Sequence, residues 1–244
     1  MNFFILHPSS FILPHEEFMP RWTMAIDLDK CLGCQACTVA CRMENNTPIA
    51  GPEQAARGRA ILWNEVIPAN EGEFPNVKAR YVPRPCMHCE DALCVKVCPV
   101  KATHKNAEGI VLVDYDRCIG CRFCTVACPY SARYFNWHAP YYPESLQAHL
   151  NPDVPLRSKG VVEKCTFCVH RLEKARAQAA AEGRVFQASD YVPACVQTCP
   201  GRARYFGDLD DPTSLVAQLL KSPRAFHLLE ELGTHPKVFY LREG

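Results

Sequence analysis

Sixteen cysteines, set in four groups of four with none left over, decide what this 244-residue chain can fold around. The groups are Cys31, Cys34, Cys37 and Cys41; Cys86, Cys89, Cys94 and Cys98; Cys118, Cys121, Cys124 and Cys128; and Cys165, Cys168, Cys195 and Cys199. Groups one and three follow C-x2-C-x2-C-x3-C. Group two widens the middle gap to four residues, and group four opens it to twenty-six. Three thiolates two residues apart wrap one face of a cubane and leave its remaining iron to a distant cysteine, the run that bacterial ferredoxins use for [4Fe–4S] clusters.

Two other uses of cysteine fit less well. Disulfides suit a secreted scaffold, but the first residues offer no basic start, unbroken apolar stretch or small-residue cleavage site. Zinc is satisfied by two C-x2-C pairs and gives no role to a third cysteine at the same spacing. Pro99, Pro129 and Pro200 each follow the last cysteine of a group and turn the chain away from the ligand, whereas group one carries Arg42 there. Gly33 and Gly120 sit between the first two cysteines of their groups, where the backbone must come close to the cluster.

The spacing makes clusters come in pairs, because the fourth cysteine of a ferredoxin run ligates the neighbouring cluster. Groups two and three, with a turn at 106–109 and a strand at 110–113 between them, have the layout of a compact two-cluster ferredoxin. Groups one and four would then form the second pair. Pairing one with two and three with four is equally compatible with spacing.

Ile26-Asp-Leu-Asp-Lys-Cys-Leu-Gly-Cys34 matches Val113-Asp-Tyr-Asp-Arg-Cys-Ile-Gly-Cys121, and Cys-Thr-Val-Ala-Cys follows in both, so an internal duplication is expected. The fold class is α+β, loop-rich, with two dicluster-ferredoxin-like modules related by that duplication. Residues 24–85 and 129–210 form the outer module with insertions, and 86–128 the inner one. Residues 1–23 are expected to be a disordered tail or an over-called start, and 211–244 a C-terminal helical extension built on Asp211–Leu220 and Pro223–Leu232. His170–Gly183 reads as a short helix inside group four. The proline- and aromatic-rich stretches 42–85 and 129–164 read mainly as loops covering clusters or meeting partners.

A net charge of +1 gives no bulk attraction to nucleic acid or an anionic membrane. No run reaches the 18 or so apolar residues of a membrane-spanning helix. No nucleotide-binding glycine loop precedes a helix, and the remaining histidines and carboxylates show no catalytic spacing. The expected function is single-electron relay, with no catalytic residues of its own. His88, Arg122, Lys164 and Arg171 lie beside ligand cysteines in sequence and are candidates for tuning cluster potentials.

With its four groups in this order, Glu163-Lys-Cys-Thr-Phe-Cys168 before a helix and a late Pro-Ala-Cys-x3-Cys-Pro, the chain resembles the four-cluster beta subunits of membrane-bound molybdopterin oxidoreductases. These include subunits of dimethyl sulfoxide, polysulfide, tetrathionate and arsenate reductases and of sulfite-oxidising complexes. The resemblance implies four [4Fe–4S] clusters in a nested arrangement. Cys31, Cys34, Cys37 and Cys199 would hold cluster 1, and Cys165, Cys168, Cys195 and Cys41 cluster 2. Cys86, Cys89, Cys94 and Cys128 would hold cluster 3, and Cys118, Cys121, Cys124 and Cys98 cluster 4. It also implies a molybdopterin-containing catalytic subunit at one end and a quinone-reactive integral-membrane anchor at the other, which makes the chain peripheral to a membrane on a side the sequence does not specify. The competing functions are an electron-transfer subunit of a hydrogenase or formate-linked complex and a free-standing polyferredoxin.

Overall fold

A computed structural model describes residues 19–242. The fold is organised by β1 (Trp22–Asp27), whose six residues are all buried. A strand buried at every position must be covered on both faces and both edges. β8 (Arg204–Asp208) pairs antiparallel along one edge and β10 (Val238–Leu241) parallel along the other, with β9 (Ala225–Phe226) outside β10. The register sets Met24 against Val238, Ala25 against Phe239 and Ile26 against Tyr240. Side chains alternate between faces. Trp22, Met24, Ile26, Val238 and Tyr240 therefore pack toward the cysteines, while Ala25, Phe239 and Leu241 pack with Val216 of α8 (Leu215–Leu220).

Several expectations are corrected by this sheet. Trp22 and Thr23 belong to β1, so a tail ending at residue 23 runs too far along the chain; residues 1–18 of that tail lie outside the described part. In the expected helical extension, α8 is helical and is capped by Ser214, whose Oγ accepts from Ala217 N at 3.2 Å. The segment 223–232 is instead β9 and a 3-10 turn at Glu230–Leu232, followed by β10. Arg224 is held by Asp27 at 2.9 Å and Asp29 at 2.7 Å, which draws the next two residues onto β10. Leu229, with a φ of 52°, stops helical continuation.

The cysteine body is carried by short pieces: α1 (Ala36–Glu44), α3 (Leu93–Lys96), α4 (Phe123–Val126) and α7 (Ala194–Gln197). α1 packs on α7, and α3 packs on α4. The twenty-six-residue gap of group four contains α6 (Val169–Ala181), which ends before Gly183 at a φ of 67°. Between groups two and three the expected turn and strand are present, and a further strand precedes them: β4 (Thr103–Lys105) pairs with β5 (Val111–Val113), the turn fixed by Ile110 N donating to Asn106 Oδ1 at 2.8 Å.

The stretch 42–85 is more regular than expected. It contains α2 (Pro52–Ala56) and a hairpin of two seven-residue strands, β2 (Glu65–Glu71) and β3 (Lys78–Arg84). Tyr81 of β3 lies over Gly33, where a Cβ would stand 2.6 Å from the ring, so the hairpin roofs the first cysteine loop. In the stretch 129–164, β6 (Tyr134–Phe135) pairs with β7 (Val162–Glu163), with α5 (Glu144–Gln147) between them.

Candidate metal centres

The first C-x2-C loop of every group shares one backbone solution. The residue before the second cysteine has a positive φ in each: Gly33 at 65°, His88 at 45°, Gly120 at 68° and Phe167 at 55°. That left-handed residue curls the loop so that both thiols face the same side. The chain leaves the last cysteine of groups two, three and four through a second shared turn, with Lys101, Ser131 and Arg202 at φ values of 55°, 50° and 47°. Group one, which lacks the proline, continues as helix through Arg42 to Glu44.

All sixteen cysteines are free thiols, and most of them gather in sets. Cys31, Cys34, Cys37 and Cys199 line one cavity together with Val66 and Pro83 of the roofing hairpin. Cys41 is surrounded by Cys165, Cys168 and Cys195, all four buried. Burial first, and then these neighbours, pushes the Cys41 thiol well above its usual range. Cys89 is pushed up to about 12 by burial and by Cys86, with Cys94 and Cys128 also beside it. Cys124 has Cys118 and Cys94 as neighbours. Cys121 is exposed at the end of this last set, and Cys98 receives Thr103 N–H at 3.4 Å.

Thiols so buried keep their protons until metal displaces them, and then each contributes a thiolate. The surroundings suit negative sulfur. Backbone N–H groups point at Cys165 from Phe167 at 3.4 Å and at Cys199 from Ala203 at 3.3 Å. Asn64 Nδ2 donates to Cys37 Sγ at 3.0 Å, and Asn45 Nδ2 lies 3.7 Å from Cys41 Sγ and 3.8 Å from Cys168 Sγ. Arg133 Nη2 is a buried donor without a hydrogen-bond partner among the described residues. Its neighbours include Cys94, Cys124 and Cys86. Among the described residues no three or more histidine, cysteine, aspartate or glutamate side chains close on a point fit for one ion. A cubane takes one thiolate per iron at its separate corners and so asks for a wider ring.

The tuning candidates divide. His88 is fully buried, stacks on Phe167 with centroids 3.7 Å apart and accepts from Val111 N at Nδ1, 3.1 Å away. Burial, then Lys164, holds its pKa well below the usual imidazole value, so it is neutral. Lys164 is buried with Nζ donating to Cys165 O at 2.6 Å and to Val111 O. Arg122 lies over the rings of Phe135 and Trp137. Arg171 is occupied by Glu44, at 2.6 Å from both carboxylate oxygens, and ties α6 to α1.

Sequence reasoning missed Arg133 and Arg204, the arginines beside the thiols. Arg204 Nη2 lies 3.5 Å from Cys37 Sγ and Nη1 3.6 Å from Cys195 Sγ. The signal was present in the chain: Cys-Pro-x2-Ala-Arg-Tyr-Phe occurs at 128–135 and again at 199–206.

Family comparisons agree with this geometry. The model of a 4Fe-4S dicluster domain matches residues 77–142, and that of a 4Fe-4S binding domain matches residues 28–44. The iron–sulfur cluster-binding subunit of menaquinone reductase from Nitratidesulfovibrio vulgaris is 50% identical over 231 residues, covering 93% of this chain and 90% of that one. The chain belongs to the iron–sulfur subunit family of reductase complexes. Within that family, a selenate reductase subunit of Mesobacillus selenatarsenatis is 45% identical, with 91% of this chain and 72% of the relative covered. The arsenate respiratory reductase iron–sulfur subunit of a Shewanella strain is 39% identical, with 91% and 96% covered. As a family member the chain is a [4Fe–4S]-binding electron-transfer subunit of an oxidoreductase complex and not the catalytic subunit.

Proposed function

We propose that the sixteen cysteines hold four [4Fe–4S] clusters in the nested arrangement and relay single electrons between a molybdopterin catalytic subunit and a quinone-reactive membrane anchor. Bound, each cubane would take up one electron and pass it on. The observation that carries the proposal is the succession of thiols. Cys37 stands beside Cys195, Cys86 beside Cys165, and Cys94 beside Cys124. With the nested ligand sets, each of these contacts joins one cluster to the next, which orders the relay 1–2–3–4. The packing of α1 on α7 and of α3 on α4 favours pairing group one with four and two with three. That pairing makes 86–128 the inner module and places the outer one around it, and the repeated loops and exit turns support an internal duplication.

The protein isolates the middle of the relay and opens its ends. Cys41, Cys165, Cys168 and Cys195 are buried, whereas Cys34 and Cys121 are exposed. Leu32 and Val39 are exposed near Cys34, and Ile119, Phe123 and Val126 near Cys121. Two apolar rims beside exposed ligands suit two protein partners. No described helix is long and apolar enough to cross a membrane, so attachment to one would come through the anchor. The relatives' names, menaquinone reductase and selenate and arsenate respiratory reductases, support a partner on each side.

Anaerobically prepared protein should contain about sixteen irons with matching sulfide, and copurify with a pterin-containing subunit. Cys199→Ser and Cys31→Ser should each alter the same paramagnetic centre. Two different centres responding would reject the nested ligand sets, and a nickel–iron partner would reject the pterin one.

A further inference from the structure

Arg133 and Arg204 are the same structural device used twice. Each stands five residues after the last cysteine of its group, delivered by the same proline and positive-φ turn. Both are buried at 4% exposure, and among the described residues neither pairs with a carboxylate. Arg157, equally buried, shows the ordinary solution: its Nε meets Glu163 Oε2 at 3.0 Å. A guanidinium cannot shed its proton, so a buried one without a counter-ion needs negative charge from elsewhere. Among the described residues, cysteines stand beside both, and as thiolates they would supply it.

The thiolates they approach belong to different ligand sets. Arg204 reaches Cys37 of cluster 1 with one nitrogen and Cys195 of cluster 2 with the other, while Asn64 Oδ1 accepts from its Nη2 at 2.5 Å. Arg133 donates to Thr103 Oγ1 at 3.1 Å and has Cys94 of cluster 3 and Cys124 of cluster 4 among its neighbours. In group two the same turn ends at Thr103, which serves as the acceptor for Arg133 rather than supplying a third cation.

We propose that Arg204 and Arg133 are inter-cluster cations, one for each cluster pair, and that each sets how readily both members of its pair are reduced. The inference rests on the nested relay proposed above. Each reduction adds one electron, and one unit of negative charge, to a site that four thiolates already make anionic. No bond forms or breaks. A fixed positive charge between two such sites favours the reduced form of both.

The test is a potentiometric titration of the anaerobic full-length protein followed by electron paramagnetic resonance, with iron and sulfide measured on each sample. Parent protein with about sixteen irons establishes the clusters; parent protein without them overturns the relay, and this inference with it. Arg204→Gln should make two of the four centres at least tenfold harder to reduce, a shift of about 59 mV, and leave the other two within threefold. Arg133→Gln should do the reverse. Arg204→Lys and Arg133→Lys keep the charge and should remain within threefold of the parent. The proposal is overturned if both glutamine variants move the same centres, if neither moves any at full iron content, or if lysine acts like glutamine. Should a glutamine variant shed iron, the loss must be confined to its own pair and be restored by lysine.

Discussion

Removing the Trp22 ring should unfasten the group-four cysteine loop. The indole is fully buried, stacks on Phe206 at 5.4 Å and meets Tyr191 edge-on at 5.0 Å. Phe206 in turn contacts Phe167 at 5.2 Å, next to Cys168, and the Tyr191 hydroxyl donates to Phe167 O. Trp22→Ala therefore costs about 4 kcal/mol for the lost packing and cavity. The indole N–H bond to Glu108 Oε1 at 3.0 Å adds about 1 kcal/mol. Glu108 keeps Arg176 at 2.6 Å, so no unpaired charge is left behind. Trp22→Phe retains most of the stack and should cost about 2 kcal/mol. Unfolding of such a protein destroys its cofactor, so the quantity to follow is the rate at which visible absorbance bleaches in guanidinium under nitrogen. A loss of about 5 kcal/mol bounds the acceleration at nearly four powers of ten. At least a tenfold acceleration is expected for alanine, with phenylalanine between alanine and the parent. An alanine variant bleaching within twofold of the parent would refute the reasoning.

Glu44 gives a pH-dependent case. Burial alone would raise its carboxyl, but His170 at 2.7 Å and Arg171 at 2.6 Å hold it down to about 2. A depressed carboxyl pKa stabilises fully above the unfolded value near 4.5 and loses that contribution as pH falls toward 2. Glu44→Gln should lower stability by roughly 2 kcal/mol at pH 7, and the gap in bleaching rate between variant and parent should close between pH 4.5 and 2. A gap independent of pH would show that the clamp works through shape alone. Gly120→Ala should fail for two reasons, a φ of 68° and a Cβ that would overlap Gly160 O. Gly183 has a φ of 67° with nothing within 4 Å, so Gly183→Ala isolates the backbone cost of about 1 kcal/mol. Iron analysis should show about four irons lost from the Gly120 variant and none from the Gly183 variant.

The candidate ligands could be picked out because cubane chemistry calls for short cysteine spacings, and cysteines from different groups come together on the loops and short helices that carry those spacings. The hairpin over Gly33 was harder to read. Pro68 and Pro83 interrupt its strands, a signal that ordinarily argues against sheet, although a two-stranded ribbon leaves each strand an unpaired edge where proline does no harm. The pairing of β1 with β10 joins residues more than two hundred positions apart, which no local pattern announces. Arg204 was missed for a related reason. Besides Cys195 its partners include Cys37 and Asn64, which lie 167 and 140 positions away in the chain.

The parallel pairing of β1 with β10 has a consequence for biogenesis. The strand that completes the sheet leaves the ribosome well after Cys199, the last of the sixteen cysteines, so a nascent chain already displays all of them while its central strand still has a bare edge. Until β10 arrives the interior is open on that side, and β10 then closes it like a latch.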